Sequence, residues 1–459
     1  MRADADKPRP ALPEGPYLVV GLARSGQAVA RLLAARGDRV LGCDTGTPDG
    51  AAELAGLGIE VDLAGDGLAL LDRAAAVVKS PGVPREAPVV AAALDRELPV
   101  LGELELAWRL LPNRFVGVTG TNGKTTVTEL LRHIWRRAGR PVEVAGNVGT
   151  PLASLAGRVD PAATVICECS SFQLEDAEAF APECGLLLNV TPDHLDRHRS
   201  LAEYLQAKLR LFARQGPGDV CVYNGSDPAL RGVELGGRGR RVEFCADAGG
   251  GGEGCRGAVR GGAIELGGER LVGLDELPLP GPHNAANAAA AAAAAEAMGI
   301  EREAIAAALV SFAGVPHRLE RVGVRGGVAY VNDSKATNVA AAAAALRSFT
   351  PGTVRAILGG SSKGDRFTGL ASAVAERCAA CYLIGEAAGA LERDLAPAWE
   401  AGVARRRCDG LAAAVDAAAA DAAAGEVVVL VPACASFDAY RDYEQRGEHF
   451  RALVAGLGA

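Results

Sequence analysis

An excess of positive charge is the first thing this sequence lacks: 48 Lys and Arg stand against 56 Asp and Glu, a formal net charge of −8 over 459 residues. A mildly acidic chain has no sequence-wide electrostatic footprint of a nucleic-acid binder, although local basic pockets for phosphates stay open. Aromatic residues are scarce at 4%, whereas Ala and Gly are abundant, which favours packed helices and tight turns over an aromatic-rich β-sandwich. The opening MRADADKPRP is polar and lacks the apolar core of a signal peptide. The Ala-rich stretch after Asn287 is broken by Glu296, and alanine is too weakly apolar for a convincing membrane span. The 11 Cys, odd in number and scattered from Cys43 to Cys434, are not the dense disulfide framework of a small secreted domain. These absences predict a cytoplasmic protein with reduced thiols, no membrane insertion and no nucleic-acid partner. One isolated CxxC, Cys378 and Cys381, reads as helix-to-strand packing rather than metal or redox chemistry.

What is present is a repeated alternation of short apolar strands and helices. The length is about three times a ~150-residue single-domain prior, and 49% hydrophobic with 23% charged residues fits an ordinary globular protein. The residues to about Gly15 read as a dispensable tail. Strands are expected at Tyr17–Val20, Arg39–Leu41 and Ala76–Val78, with a glycine loop, Gly21 to Gly26, between the first strand and a helix ending near Arg36. The helix Glu103–Leu110 closes this first unit. A second begins with Phe115–Val118 and holds strands at Thr164–Glu168 and Gly185–Asn189. Its Gly-rich stretch from Gly249 to Gly273 reads as mobile hairpins at a sheet margin, before helices starting at Asn284 and Arg302. The third repeats the pattern with strands Val328–Val331, Val354–Leu358, Cys381–Ile384 and Val427–Val431. The expected fold is α/β in three consecutive domains, residues 1–112, 113–315 and 316–459, with largely parallel sheets.

The strongest chemical signal is Gly120, Thr121, Asn122, Gly123, Lys124, Thr125 and Thr126, directly after an apolar strand and before a helix. Amides of such a loop point at phosphate oxygens, and the helix N-terminus adds positive potential. Lys124 would lie at the β/γ-phosphates of ATP and Thr125 would bind Mg²⁺. A strict Walker A is incomplete, because Val118 stands where its first Gly belongs. Glu168 ends a strand of the same sheet, where a carboxylate can hold the metal. His194 and His198 are four residues apart and could share a helix face, but Leu195 replaces the Glu of a zinc-peptidase helix. Spacing alone makes Lys208 an exposed helix lysine.

GTNGKTT, ECSSFQLE, NVTPDHLDRH, HNAAN, PHRLE, NDSKATN and PACASFDAYRDYEQRG follow one another from residue 120 to residue 447. In this order they resemble the Mur ligases, and SSFQL with the last segment resembles the branch that adds D-glutamate. The incomplete Walker A is this family's normal form. The resemblance implies three domains: a Rossmann-like UDP-binding domain, a P-loop ATPase-like domain and a C-terminal Rossmann-like domain. It implies ATP-dependent ligation of D-glutamate to UDP-N-acetylmuramoyl-L-alanine through an acyl phosphate, in peptidoglycan synthesis, by a monomer.

By the same resemblance Thr125 and Glu168 serve one Mg²⁺ and His194 a second, with Lys208 carbamylated beside it. Asn147, Asn284 and Asn287 line the nucleotide pocket, although Asn284 also suits an N-cap of the Ala-rich helix. Arg318 and Asp333 reach the triphosphate. Lys335, Thr337, Lys363, Ser436, Phe437 and Tyr443 fall at positions of the incoming D-glutamate. Gly21, Ala23, Ser25, Gly26, Asp44, Thr45, Ser80 and Gly82 fall where the family binds UDP. Two departures stand out: Gly46 replaces a common polar or basic side chain, and Arg366 replaces an acid before Phe367. Rival readings are weaker. A nicotinamide oxidoreductase needs a second glycine where Ala23 stands. A P-loop switch would need a guanine-reading motif, which is missing. Another ligase of the superfamily, such as a different Mur ligase or folylpolyglutamate synthase, disagrees with SSFQL and SFDAYRDYEQRG.

Overall fold

The computed structural model describes residues 7–147, 149–193, 197–246, 254–279, 281–361 and 366–457. Its strands form three sheets. The first holds β1 (Tyr17–Val20), β2 (Val40–Asp44), β3 (Glu60–Leu63), β4 (Ala76–Lys79) and β5 (Val100–Gly102) in the order β3-β2-β1-β4-β5, all parallel. The chain reverses its direction of travel across the sheet between β1 and β4. Loops at the carboxyl ends of such neighbours flank the crevice where doubly wound sheets bind ligands.

The second sheet comprises β6 (Arg114–Thr119), β7 (Val142–Gly146), β8 (Thr164–Glu168), β9 (Cys184–Leu187), β10 (Val220–Asn224), β11 (Arg240–Cys245), β12 (Gly257–Arg260), β13 (Ala263–Leu266) and β14 (Glu269–Gly273). Its order is β14-β13-β12-β11-β10-β9-β6-β8-β7. The expected hairpins at the margin are the antiparallel β12–β13 and β13–β14 pairs; residues 247–253 lie outside the described residues. β6 is buried except at Arg114, as a central parallel strand covered on both faces must be.

The third sheet runs β15 (Glu320–Arg325), β16 (Val328–Asn332), β20 (Val427–Leu430), β17 (Val354–Gly359), β18 (Cys378–Ile384) and β19 (Ala404–Arg407) in that order, with only β15 antiparallel. Cys378 and Cys381 both lie in β18 and pack into one apolar core with Leu383 and Val374, in line with a packing role.

Contacts divide the chain into two compact units: residues 1–273 with 286–310, and residues 274–285 with 311–459. The first two sheets fall in one unit because one hydrophobic core runs through both, from Tyr17 and Leu33 through Trp108 and Phe115 to Phe180 and Phe212. Phe180 meets the rings of Trp108 and Phe115 edge-on, with centroids 5.9 and 6.2 Å away.

Two expectations are corrected here. The tail is no free end from Lys7 onward. Lys7 Nζ bonds Ala181 O and the Asp219 carboxylate, and the Arg9 guanidinium bonds Asn113 O while lying 4.8 Å from the Trp108 ring centre. These partners are distant in sequence, so local composition carried no sign of them. Nor are all thiols reduced: Cys245, ending β11, is disulfide-bonded to Cys255, with Cα atoms 5.9 Å apart. Parallel pairing of β11 with β12 brings the two backbones to a separation a disulfide spans.

Candidate functional site

β6 emerges into residues 120–123, and the helix Lys124–Arg137 begins at once, with Gly123 as its N-cap at φ +88°. A side chain there would be strained, and its Cβ would sit 2.5 Å from Asn287 Oδ1. Only glycine lets the loop lie against Asn287, which is buried on the helix Pro282–Ala297. The loop is braced from the end of β9. Asn122 N donates to Asn189 Oδ1 at 2.8 Å, Asn189 Nδ2 returns a bond to Asn122 O at 3.0 Å, and Thr191 N donates to Thr121 Oγ1 at 3.0 Å. Asn189 and Thr191 were not among the expected site residues; their place directly after a strand end, facing a glycine loop, was the available signal.

Lys124 Nζ donates to the carbonyls of Gly120 and Thr121, both at 2.9 Å. Thr125 Oγ1 donates to Glu168 Oε2 at 2.7 Å, and Asn147 Nδ2 to Glu168 Oε1 at 3.1 Å. A hydroxyl and a carboxylate thus meet at the mouth of the loop. Hard oxygen donors of this kind, with positions left for phosphate and water, suit Mg²⁺. The carboxylate is held there by backbone: Asn147 N donates to Glu168 O at 2.9 Å, and a Cβ on Gly146 would meet that oxygen at 2.3 Å.

Lys208 is the largest correction at the site. It lies on the helix Leu201–Ala213 but is 1% exposed, not on the solvated face. Its Nζ donates to Gly120 O at 2.9 Å and stands 4.2 Å from the Tyr204 ring centre. Burial, with Lys124 nearby, holds its pKa well below the usual lysine range. His194 lies outside the described residues. His198 precedes that helix rather than sharing one with His194. It is a buried packing residue, 2.9 Å from Ser171 Oγ and stacked on Phe172 at 5.5 Å.

In the first sheet, the Gly21–Gly26 turn and the Ser80 loop lie side by side. Ser80 Oγ donates to Gly21 O at 2.7 Å, and a Cβ on Gly26 would strike Gly21 O at 1.8 Å. Asp44 accepts from Leu22 N at 2.6 Å and from Gly46 N at 2.8 Å. The glycine at 46 therefore still contributes its amide. Ala23, Thr45 and Gly82 are exposed and Ser25 half-buried around this crevice.

In the second unit Leu319 N donates to Asp333 Oδ1 at 3.2 Å. Burial pushes Asp333 up to about 6, with the neighbouring Arg318 charge opposing. Lys335 Nζ bonds Tyr443 Oη at 2.9 Å. Thr337 is half-buried, Ser436 is buried, and Phe437 is 66% exposed. Lys363 lies outside the described residues. Asn284 is the third residue of its helix, not the N-cap, because the helix already starts at Pro282.

The first unit brings together the P-loop, Asn147, Glu168, Lys208 and Asn287. The second gathers Arg318 with Asp333, and Lys335 with Tyr443. The arrangement in the first unit is a glycine-rich strand-to-helix loop with a buried lysine, a hydroxyl and a carboxylate at its mouth, the form that phosphate-binding P-loops take. Residues 118–295 match the Mur ligase middle domain, 317–434 the Mur ligase glutamate ligase domain and 16–102 the MurD-like N-terminal domain. The chain is 43% identical over 450 residues to the UDP-N-acetylmuramoylalanine--D-glutamate ligase of Pelotomaculum thermopropionicum, spanning 96% of this chain and 97% of that one. The enzyme of the same name from Symbiobacterium thermophilum is 41% identical over 447 residues, with 96% and 97% covered. The fold is shared with UDP-N-acetylmuramate-alanine ligase MurC of Thermotoga maritima, at TM-score 0.60 and 19% identity over 96% and 99% of the two chains. It is shared with MurF ligase of the same organism, solved with ADP, at TM-score 0.59 and 19% identity over 91% and 95%. The chain belongs to the Mur ligase family, in the branch of the UDP-N-acetylmuramoylalanine--D-glutamate ligases.

Proposed function

We propose that the chain joins D-glutamate to the alanyl carboxylate of UDP-N-acetylmuramoyl-L-alanine at the cost of ATP, as a cytoplasmic monomer in peptidoglycan precursor synthesis. The observation that carries the site assignment is the Thr125–Glu168 contact at the mouth of a P-loop flanked by two lysines. In this reading residues 1–112 bind the UDP acceptor, 113–315 ATP and 316–459 the amino acid. The acceptor's diphosphate takes the amides of the Gly21–Gly26 turn, at the N-terminus of the helix Arg24–Ala35. ATP takes the loop from Gly120 to Thr126, with Lys124 turning from its carbonyl partners to the β/γ-phosphates.

A carboxylate attacking a polyanion is repelled, so charge on the transferring phosphoryl group must be neutralised. Lys124 supplies one cation. Mg²⁺ would supply the rest when bound, one ion on Thr125 and Glu168 and a second on His194 and the modified Lys208. Lys208 needs to be an anion for that role. Its buried amine, driven toward the neutral form, can attack CO₂; the new N–C bond gives a carbamate and releases one proton. The acceptor carboxylate oxygen then bonds the γ-phosphorus as ADP leaves. The amine of D-glutamate, held among Lys335, Thr337, Lys363, Ser436, Phe437 and Tyr443, attacks the acyl carbon and expels phosphate. Asn147 and Asn287 of the first unit line the nucleotide pocket, and Asn284, Arg318 and Asp333 of the second keep the nucleotide roles that the family resemblance implies.

The route is tested with acceptor carrying ¹⁸O in its carboxylate. The acyl-phosphate path moves one labelled oxygen into the released phosphate. Unlabelled phosphate would contradict it.

A further inference from the structure

Arg446, on the helix Tyr443–Gly456, is 1% exposed although it carries a charge. Its Nε donates to Ser334 Oγ at 3.0 Å. Nη2 donates to Ser334 O at 2.8 Å and Cys434 O at 3.1 Å, and Nη1 to Ala435 O at 3.2 Å and Gly359 O at 3.5 Å. Every one of these acceptors is a carbonyl or a hydroxyl. Among the described residues no carboxylate is bonded to this guanidinium. Burial lowers its pKa to about 10, so it stays charged at neutral pH.

The acceptors are not scattered. Ser334 follows β16, Gly359 ends β17 and Cys434 with Ala435 follow β20, and β16-β20-β17 are neighbouring parallel strands. One side chain thus ties three carboxyl-terminal strand ends together. Ser334 Oγ passes the connection on by donating to Tyr443 O at 2.8 Å. Ser361 N donates to Ala435 O at 3.0 Å, bringing the loop after β17 into the same set. Lys335 and Ser436 each adjoin a residue held in this way, and Tyr443 is tied to Ser334 directly. A planar fork of five donors can do this; a lysine cannot.

We propose that Arg446 is a positioning and specificity-determining residue for the incoming amino acid. It locks three strand-end segments into one cradle and supplies a buried positive charge that favours an amino acid with two carboxylates. A buried cation whose hydrogen bonds among the described residues all go to neutral acceptors, with Asp438 as a charge neighbour, still projects its field through a low-dielectric wall, and a dianionic ligand gains more from it than a monoanionic one. The proposal rests on the reading that D-glutamate docks among Lys335, Thr337, Ser436, Phe437 and Tyr443.

The test uses the full chain and compares Arg446→Lys, Arg446→Met, Ser334→Ala and Lys335→Ala by phosphate release. KM is measured for D-glutamate, ATP and the UDP acceptor, and folding is checked by thermal melting. Arg446→Lys is expected to raise the D-glutamate KM about tenfold and Ser334→Ala about threefold, with the ATP and acceptor KM within about twofold. The preference for D-glutamate over D-glutamine falls in Arg446→Met and is kept in Arg446→Lys, which retains charge but not geometry. A D-glutamate KM unchanged in Ser334→Ala and Arg446→Lys, or all three KM values rising in parallel, overturns the proposal. Should the Arg446 variants not fold, Ser334→Ala decides alone. A raised D-glutamate KM in Lys335→Ala alone overturns only the role of Arg446. An unchanged value in Lys335→Ala removes the docking reading and this inference with it.

Discussion

Lys79 Nζ lies 2.6 Å from the Asp176 carboxylate, with both side chains sealed from solvent. The pair joins the carboxyl end of β4 to the residue after the helix Ser171–Glu175, which itself follows Glu168. Lys79 also donates to Val83 O at 3.0 Å, and Arg197 reaches the same oxygen at 3.3 Å. The proposed acceptor loop is therefore fastened to the segment that carries Glu168. Removing Lys79 leaves the buried Asp176 carboxylate with only the Arg85 guanidinium, 3.6 Å away, so Lys79→Met should cost about 3 kcal/mol in urea unfolding. Lys79→Met with Asp176→Leu should recover most of that loss. An equal loss in single and double variants would show that packing, not charge, makes this joint.

Glu103 gives the fold a pH dependence. It is 1% exposed, and burial raises its carboxyl from 4.5 to about 7, against bonds from the Ala153 and Leu152 amides and Gln173. Between those values the folded state keeps a proton that the unfolded chain has released. Stability therefore falls as pH rises through this window, by about 3 kcal/mol in total. Asp333, raised to about 6, acts in the same direction in the other unit. Subtracting the Glu103→Gln curve from the parent curve isolates the Glu103 part. A flat difference between pH 4 and 8 would contradict its burial as an ionisable group.

Lys124→Ala is expected to remove ligation by at least about 10²-fold, as loss of a phosphate-neutralising cation does. Lys124 and the Gly21–Gly26 turn belong to different sheets, so calorimetric binding of UDP acceptor should stay within about twofold. Acceptor affinity falling as far as ATP affinity would count against the separate assignments.

Lys208→Ala should fall about 10²-fold or more in activity, with partial recovery in added acetate occupying the vacated anion position. Because the side chain is buried, this variant should also lose stability, beyond the ~0.5 kcal/mol typical of a surface truncation. Near-normal activity, or no response to acetate, would leave Lys208 a structural bond to Gly120 O.

The strand and helix alternation was legible because parallel strands such as Tyr17–Val20 and Thr164–Glu168 are buried on both faces and read as apolar runs. Boundaries slipped at strand ends: β9 stops at Leu187, and Asn189 turns to brace the P-loop. Loop glycines were legible for the same local reason. What escaped depends on contacts between remote segments. Helical spacing put Lys208 outside, yet the Gly120 carbonyl, 88 residues away, holds it inside. Lys7 and Arg9 looked like tail charges until Asp219 and Asn113 supplied their partners. Arg446 lay inside the PACASFDAYRDYEQRG segment, but its role was not legible there, since five backbone and hydroxyl acceptors on three segments define it.

Phosphate release from ATP, with UDP-N-acetylmuramate, UDP-N-acetylmuramoyl-L-alanine and the L-alanyl-D-glutamyl precursor each crossed against L-alanine, D-glutamate, L-glutamate, L-lysine and diaminopimelate, tests the central claim most directly. The account predicts turnover for one combination, UDP-N-acetylmuramoyl-L-alanine with D-glutamate. Equal or faster release with any other pair would contradict it.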